Sequence, residues 1–223
     1  MIDLSPLFLS LKLAVVTTLV LSLIGMGVGY LFFRARNWQK VIIKALSSLP
    51  IVLPPSVLGY YLLVAFNPQS ALALWTENWL GISLLFSFPG LVVGSVIYSF
   101  PFMVNPLISS LESFPTHLLE ASYTLGKSKP YTFRKIVLPL IRPSLIVAMV
   151  MSFAHTMGEF GVILMIGGNI PGKTRVASIE IYNQVEMMNY QNANTYALIL
   201  LIFSFLILLG VYIFQHRNLR LLV

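Results

Sequence analysis

Long apolar stretches, separated by short polar and basic segments, recur along the whole chain. A helix that crosses a bilayer needs about 20 mostly apolar residues. The pattern predicts five such spans, near Leu9–Phe33, Val41–Phe66, Ile82–Leu107, Ser144–Ile166 and Tyr196–Phe214. The first stretch is too long for a signal peptide and lacks a basic start with a small-residue cleavage site, so we interpret it as a retained span. The pattern therefore predicts an all-α, polytopic membrane protein that forms a single transmembrane domain over residues 1–223.

Composition supports the bilayer as the solvent of this chain. Hydrophobic residues make up 57% and charged residues only 9% of the sequence, and the mean hydropathy is +0.87. A soluble domain carries roughly 25% charged residues. The absence of cysteine excludes disulfides, thiolate metal sites and cysteine nucleophiles. A net charge of +7 is compatible with nucleic-acid binding, but membrane proteins collect lysine and arginine in cytoplasmic loops, and we expect no nucleic-acid partner.

The distribution of basic residues predicts the orientation of the chain. Eleven of the 14 lysines and arginines fall in alternate loops: Arg34, Arg36, Lys40, Lys44, Lys127, Lys129, Arg134, Lys135, Arg142, Arg217 and Arg220. Only Lys12, Lys173 and Arg175 fall on the other side. Because positive charge favours the cytoplasmic side, we expect the N-terminus outside and the C-terminus in the cytoplasm.

The segment Gly167–Thr174 reads GGNIPGKT and fits the phosphate-binding pattern G-x-x-x-x-G-K-[ST]. A working phosphate loop joins a strand to a helix, whereas this segment follows an apolar span on the predicted outer side. Pro171-Gly172 is a favourable type II turn pair, which accounts for the glycine without a ligand. Asp3 is the only aspartate of the chain, so no later strand can supply a magnesium-binding aspartate. We therefore expect no ATP binding in this loop.

The longest cytoplasmic loop, Asn105–Arg142, has a helix–turn–helix pattern over about 110–142. Leu118, Ala121, Ser122 and Leu125 share one helical face. Gly126 then ends the helix, because glycine readily adopts a positive φ. A loop of this length with its own structure is more often functional than idle.

This loop resembles the EAA loop of ABC-importer permeases, whose pattern is E-A-A, x3, G, x9, I, x, L-P. The matching positions are Glu120, Ala121, Ser122, Gly126, Ile136, Leu138 and Pro139, with Ser122 as the only departure. The resemblance implies the type I ABC-importer permease fold, and a coupling helix, with Leu125 on its face, that docks on a separate cytoplasmic ABC ATPase. The alternative is an ordinary helix on the membrane surface, which needs no glycine at that offset.

Two further segments resemble the molybdate branch of these permeases. They are Leu53–Tyr61 (LPPSVLGYY) and Gly158–Gly161 (GEFG), the latter followed by Gly167–Gly172. Sulfate and tungstate permeases are close relatives of that branch, and both stay open as substrates. The resemblance implies a non-catalytic homodimer in a bacterial or archaeal plasma membrane, without a metal or other cofactor. It also implies an extracytoplasmic oxyanion-binding protein as a partner, besides the ATPase and membrane lipid.

Candidates for the permeation path lie in the second and fourth spans. Pro54 and Pro55 interrupt the amide ladder, and such breaks survive in a membrane where protein or a watery cavity satisfies the freed carbonyls. A kink that only shapes packing is the equal alternative. In the fourth span Ser152, His155, Thr156 and Glu159 form one polar face, which either lines the path or ties helices together.

The outer segment after Gly172 is a candidate docking surface for a binding protein, through Lys173 and Arg175, although a merely solvated loop carries the same charges. Two other classes of function compete with an importer. A passive channel needs no coupling loop. An intramembrane enzyme needs paired acids or a histidine-rich metal set, whereas the three histidines of this chain are dispersed, so we expect no catalytic residues.

Overall fold

The structure is a computed structural model that describes residues 3–219, and all its regular secondary structure is helical. The helices are α1 Ser5–Arg34, α2 Asn37–Val52, α3 Pro55–Ala65, α4 Ala71–Leu80, α5 Phe88–Glu112, α6 Thr116–Thr124, α7 Lys129–Thr132, α8 Leu138–Met157, α9 Gly161–Gly167, α10 Ala177–Glu186 and α11 Tyr190–Leu219. A π-helical segment, Phe133–Val137, joins α7 to α8. Arg220, counted above among the basic residues, lies outside the described residues.

The predicted number of membrane spans is confirmed. Within the described part of the chain, four helical stretches are long and apolar enough to cross a bilayer: Ser5–Arg34, Phe88–Glu112, Lys129–Met157 and Tyr190–Gly210. The pair α2 and α3 makes a fifth span if it is counted as one, although its two helices are bent by 103°.

Two of the spans are interrupted. The break in the second span confirms the expectation from its prolines, whereas the prediction of a continuous fourth span is wrong. The second span breaks between Val52 and Pro55, because Pro54 and Pro55 have no amide hydrogen to continue the ladder. The fourth span, predicted to reach Ile166, ends as α8 at Met157, and the chain turns through Gly158–Phe160 before α9 begins. The third span starts later than predicted, at Phe88, because the Ser87 hydroxyl accepts the Gly90 amide and caps the helix.

The core of the bundle is formed by α1, α5 and α8, with α2 packed on α5 and α3 packed on α9. One apolar cluster surrounds Leu91 and Val162, and a second surrounds Leu21 and Met103. A Cβ added to Gly25 would lie 2.7 Å from the Met103 Cγ, so this glycine permits the close approach of α1 and α5. Two helices, α4 and α10, were not predicted from the sequence.

Candidate functional site

The loop that resembles the EAA motif folds as a helix with a well-defined end. Helix α6 is closed by Gly126, whose φ of 69° is the left-handed conformation expected for a glycine at this position. The Gly126 amide donates to the Tyr123 carbonyl (2.9 Å) and the Lys127 amide donates to the Ser122 carbonyl (3.1 Å). This pair of hydrogen bonds is the Schellman motif, and it confirms the predicted helix end.

The two small residues of α6 face in different directions. Ser122 is buried, and its hydroxyl lies 2.8 Å from that of Thr132, so it ties α6 to α7. Glu120, Ala121 and Leu125 are exposed, Leu125 with 74% of its surface accessible. Of the motif residues on α6, Glu120 and Ala121 are therefore accessible, together with Leu125, whereas Ser122 is not.

The last three residues of the motif attach the loop to the bundle. Ile136 lies in the π-helical segment and is partly buried, and Leu138 packs against the apolar cluster around Met103. Pro139 lies in the first turn of α8, directly after the π-helical segment. The π-helical segment makes one continuous rod of α7 and α8, so the loop and the fourth span are joined without a flexible linker.

The polar face of α8 points toward α5. Ser152 and Thr156 are buried, and their hydroxyls donate to the carbonyls of Ala148 (2.8 Å) and Ser152 (2.9 Å). The Ser99 hydroxyl of α5 lies 2.9 Å from His155 Nδ1 and 3.0 Å from Thr156 Oγ1. His155 also stacks on Phe102, with ring centroids 4.0 Å apart. These contacts tie the two helices together inside one protomer.

Glu159 lies in the turn between α8 and α9 and is only 3% exposed. Its Oε2 accepts the Ser95 hydroxyl of α5 (2.6 Å), and its main-chain carbonyl accepts the Ser178 hydroxyl of α10. The same turn touches the other helix break, because a Cβ added to Gly161 would lie 3.1 Å from the Pro55 Cβ. Glu159 therefore holds three elements together beside the proline break.

The proline break is at the surface of the single chain. Pro54, Pro55 and the neighbouring Ser56 are exposed, whereas Leu58 and Leu62 of the same helix are buried against α9. Pro54 is the residue that caps α3, and Pro55 is its first residue. The break thus presents an accessible surface directly beside the buried Glu159 turn.

The GGNIPGKT segment is a closed turn. The amides of Lys173, Thr174 and Arg175 all donate to the Ile170 carbonyl, at 3.2, 2.9 and 3.0 Å. The buried Thr174 hydroxyl accepts the Ile170 amide (2.9 Å) and donates to the Gly167 carbonyl (2.7 Å). Because these amides and this hydroxyl are already paired, the groups that cradle phosphate in a nucleotide-binding loop are occupied.

The two basic residues of this segment differ in accessibility. Lys173 is exposed. Arg175 is partly buried: its Nε donates to Asn169 Oδ1 (2.7 Å), and its guanidinium lies 3.4 Å from a carboxylate oxygen of Glu180 on α10. Lys173 is therefore the more accessible of the two.

Sequence reasoning missed the residues that hold Glu159 and His155. Ser95 and Ser99 are four residues apart on α5, and this spacing could have indicated a polar face. The spacing is a weak signal, because small hydroxyl side chains are common in membrane-spanning helices. Ser178 lies on the unpredicted α10. Within residues 3–219, no group of three histidine or acidic side chains is arranged to hold a metal ion.

Comparison with known proteins identifies the class. The chain belongs to the family described as binding-protein-dependent transport system inner membrane component, whose family model matches residues 21–221. It has the fold of ABC-importer permeases: it aligns with a crystal structure of a bacterial alginate ABC transporter in complex with an alginate pentasaccharide-bound periplasmic protein, with a TM-score of 0.76 at 16% identity, covering 96% of this chain and 78% of that one.

Two relatives indicate which branch of the family the chain resembles. The molybdenum transport system permease protein ModB of Azotobacter vinelandii is 45% identical over 211 residues, which cover 94% of this chain and 93% of the relative. A probable sulfate transport system permease protein, cysT of Chlorella vulgaris, is 32% identical over 219 residues, covering 98% of this chain and 82% of the relative. The resemblance to molybdate and sulfate permeases noted from the motifs is confirmed.

Proposed function

We propose that this chain is the permease subunit of an ATP-driven importer of molybdate. The proposed substrate rests on the 45% identity to a molybdenum permease over nearly the full length of both chains. Two copies of the chain form the path, a separate cytoplasmic ATPase supplies the energy, and an extracytoplasmic binding protein delivers the oxyanion. The whole chain acts as one permease domain.

The exposed face of α6 is the proposed docking surface for the ATPase. Glu120, Ala121 and Leu125 enter a groove on the ATPase, and Gly126 sets the direction in which the chain leaves that groove. Because Ser122 bonds α6 to Thr132 and the rod continues into α8, a displacement of α6 moves α8 with it.

The proposed path runs beside the two helix breaks. Pro54 and Pro55 are exposed in the single chain, and His155 is partly exposed, so these residues are placed to face the second copy or the path between the copies. Ser152, Thr156 and Glu159 are buried in the protomer and shape the path from behind. The anion itself passes main-chain groups freed by the prolines and not the Glu159 carboxyl group, which would repel it if ionised.

The proposed orientation places α6 in the cytoplasm and Lys173, which offers a positive charge to the binding protein, outside. The chain contains no cysteine, so single cysteines introduced at Lys127 and at Lys173, both exposed, can be labelled in intact cells with a membrane-impermeant maleimide. We expect labelling at position 173 only. Labelling at position 127 in intact cells would contradict the orientation and the coupling role of α6.

Uptake by the full complex tests the substrate. Permease, ATPase and binding protein are reconstituted in vesicles, and ATP-dependent uptake of labelled molybdate, tungstate and sulfate is compared at matched concentrations. Preference for molybdate supports the proposal, whereas preference for sulfate supports the second candidate, which the 32% identity to a sulfate permease favours. Equal uptake without ATP would identify a passive channel and contradict the proposal.

A further inference from the structure

A cleft of about 540 Å³ lies behind α6, on the side that faces the rest of the chain. It is bounded by the end of α1, the start of α2, the end of α5, and helices α6 and α7. Its polar lining comes from Asn37, Lys40, Glu112, Thr116, Tyr123 and Lys129. Aromatic and aliphatic side chains, including Phe32 and Leu119, form the remaining wall.

The charge in this cleft is positive. Glu112 is already paired, because both of its carboxylate oxygens lie within 3.0 Å of the Lys44 ammonium group. Across residues 3–219, no carboxylate forms an ion pair with Lys40 or Lys129. The Lys40 ammonium group lies 5.3 Å from the centroid of the Phe32 ring, a cation–π contact at the cleft wall. Two uncompensated ammonium groups and two hydroxyl groups therefore line one cavity.

The position of the cleft favours a lipid over a water-soluble anion. It lies where α1 and α5, two of the membrane-spanning helices, end. An apolar groove of about 400 Å³, lined by Leu31, Trp38 and Ile42, begins at the same corner between α1 and α2. Trp38 is 61% exposed, and tryptophan is enriched at the level of lipid headgroups. A headgroup in the cleft can thus keep its acyl chains in the bilayer beside the groove.

We propose that this cleft binds the phosphodiester headgroup of an anionic phospholipid from the cytoplasmic leaflet. Lys40 and Lys129 neutralise the phosphate, and the hydroxyls of Thr116 and Tyr123 donate to its oxygens. Basic pockets between membrane helices on the cytoplasmic side are suited to such headgroups. The inference rests on the proposed function, which places α6 on the cytoplasmic side.

A lipid in this cleft supports the coupling helix from behind. Thr116, Leu119 and Tyr123 line the cleft and lie on a different face of α6 from Ala121 and Leu125. A lipid in the cleft therefore leaves Ala121 and Leu125 free to contact the ATPase. A bound headgroup fills the space between α6 and the membrane helices, so that a push on α6 moves α8 and does not merely close the cleft.

Lipid retention is the direct test. The complex of permease and ATPase is purified from membranes, equilibrated with mixed phosphatidylglycerol and phosphatidylcholine, and analysed for bound lipid by native mass spectrometry. We expect the unaltered chain to retain phosphatidylglycerol preferentially. The double variant Lys40→Gln/Lys129→Gln should lower that retention about 30-fold, because each lysine near an anionic lipid contributes roughly fivefold.

Matched variants separate a lipid site from a general charge effect. Lys127→Gln/Lys135→Gln removes the same charge from residues that do not line the cleft and should leave retention unchanged. Lys40→Arg/Lys129→Arg should keep it, which also shows that the cleft tolerates substitution. Equal retention of both lipids by the unaltered chain, or equal losses in the two glutamine variants, would overturn the inference. Displacement of the lipid by millimolar inorganic phosphate would also overturn it, in favour of a free-anion site.

The lipid test does not depend on the transported substrate. Retention is measured without uptake, so a failure of molybdate transport leaves this inference standing. Conversely, loss of lipid preference leaves the permease assignment untouched. A second measurement connects lipid binding with transport, namely the ATPase activity that the loaded binding protein stimulates. This activity should rise with phosphatidylglycerol content in the unaltered complex and stay constant in Lys40→Gln/Lys129→Gln. The same rise in that variant would contradict the inference.

Discussion

Gly126 is the position at which a single substitution tests the coupling role most cleanly. Residues with a Cβ adopt its φ of 69° only at a cost in free energy. A Cβ added to Gly126 would nevertheless meet no atom within 4 Å. A substitution therefore adds backbone strain without a steric clash. That strain is about 1–2 kcal/mol for an ordinary residue and up to roughly 3 kcal/mol in the least favourable cases, such as a β-branched side chain.

The strain sets the expected loss of ATPase affinity. Docking needs the Schellman turn intact, because that turn determines where the chain leaves α6. If valine holds the turn only at a cost of about 2–3 kcal/mol, affinity for the ATPase falls by roughly 30- to 150-fold, at 1.4 kcal/mol per factor of ten. Alanine should cost about fivefold to 30-fold on the same scale. Asparagine, which enters the left-handed region more readily, should cost least.

The assay is equilibrium binding of the purified permease to its ATPase, with thermal unfolding as a check on folding. Gly172→Val is the matched control, because Gly172 has the same φ of 69° and no atom within 4 Å of an added Cβ, but lies in the loop proposed to be outside. We expect Gly126→Val to weaken binding and Gly172→Val to leave it unchanged. Undiminished binding by Gly126→Val, or equal weakening by both variants, would refute the coupling role of this turn.

Three further experiments test the contacts described above. Thr174→Val removes the hydroxyl that closes the GGNIPGKT turn and should lower the free energy of unfolding by about 1–3 kcal/mol, measured by thermal denaturation. The dependence of the complex on ATP concentration should stay the same. A raised ATP requirement would contradict the interpretation of this segment as a closed turn. A double-mutant cycle of Ser95→Ala and Glu159→Ala should give a coupling energy of about 0.6 kcal/mol, the average for hydrogen bonds between helices in a membrane protein, and at most about 1.7 kcal/mol. Zero coupling would show that the Ser95–Glu159 hydrogen bond contributes nothing to stability. Ser122→Ala should accelerate hydrogen exchange of the α7 amides by roughly fivefold, which is the effect of losing a net hydrogen bond of about 1 kcal/mol. Thr132→Val should accelerate this exchange further, because it leaves the buried Ser122 hydroxyl unpaired. Unchanged exchange in both variants would show that the Ser122–Thr132 contact does not hold α6 to α7.

The spans were predictable because hydrophobicity over 20 residues is a local property of the sequence. The prolines at positions 54 and 55 also predicted the break in the second span. The short helices were not predictable, since their stability depends on distant residues. Helix α10, for example, is anchored where the Ala177 amide donates to the Ser10 hydroxyl, 167 positions away (2.8 Å). Likewise, the burial of Glu159 depends on Ser95 and Ser178, whose hydrogen bonds to it no pattern near residue 159 reveals.

The loop that resembles the EAA motif was largely predictable for the same physical reason. A helix end marked by Gly126 is encoded within a few residues, and the structure has that end where the pattern predicts it. The direction of each side chain is not encoded locally. Ser122 was expected on the docking face, but its contact with Thr132 turns it inward, and only the position of α7 decides that.

A series of polar contacts and helices connects α6 to the turn that contains Glu159. Ser122 and Thr132 join α6 to α7, the π-helical segment continues α7 into α8, and Glu159 joins the end of α8 to α5 and α10. Burial of the Glu159 carboxyl group between membrane helices is costly unless it is paired, and the Ser95 hydroxyl supplies a partner. We infer that these contacts keep α6, α8 and the Glu159 turn moving together, because slack at any of them would absorb a displacement of α6 before it reached Pro55.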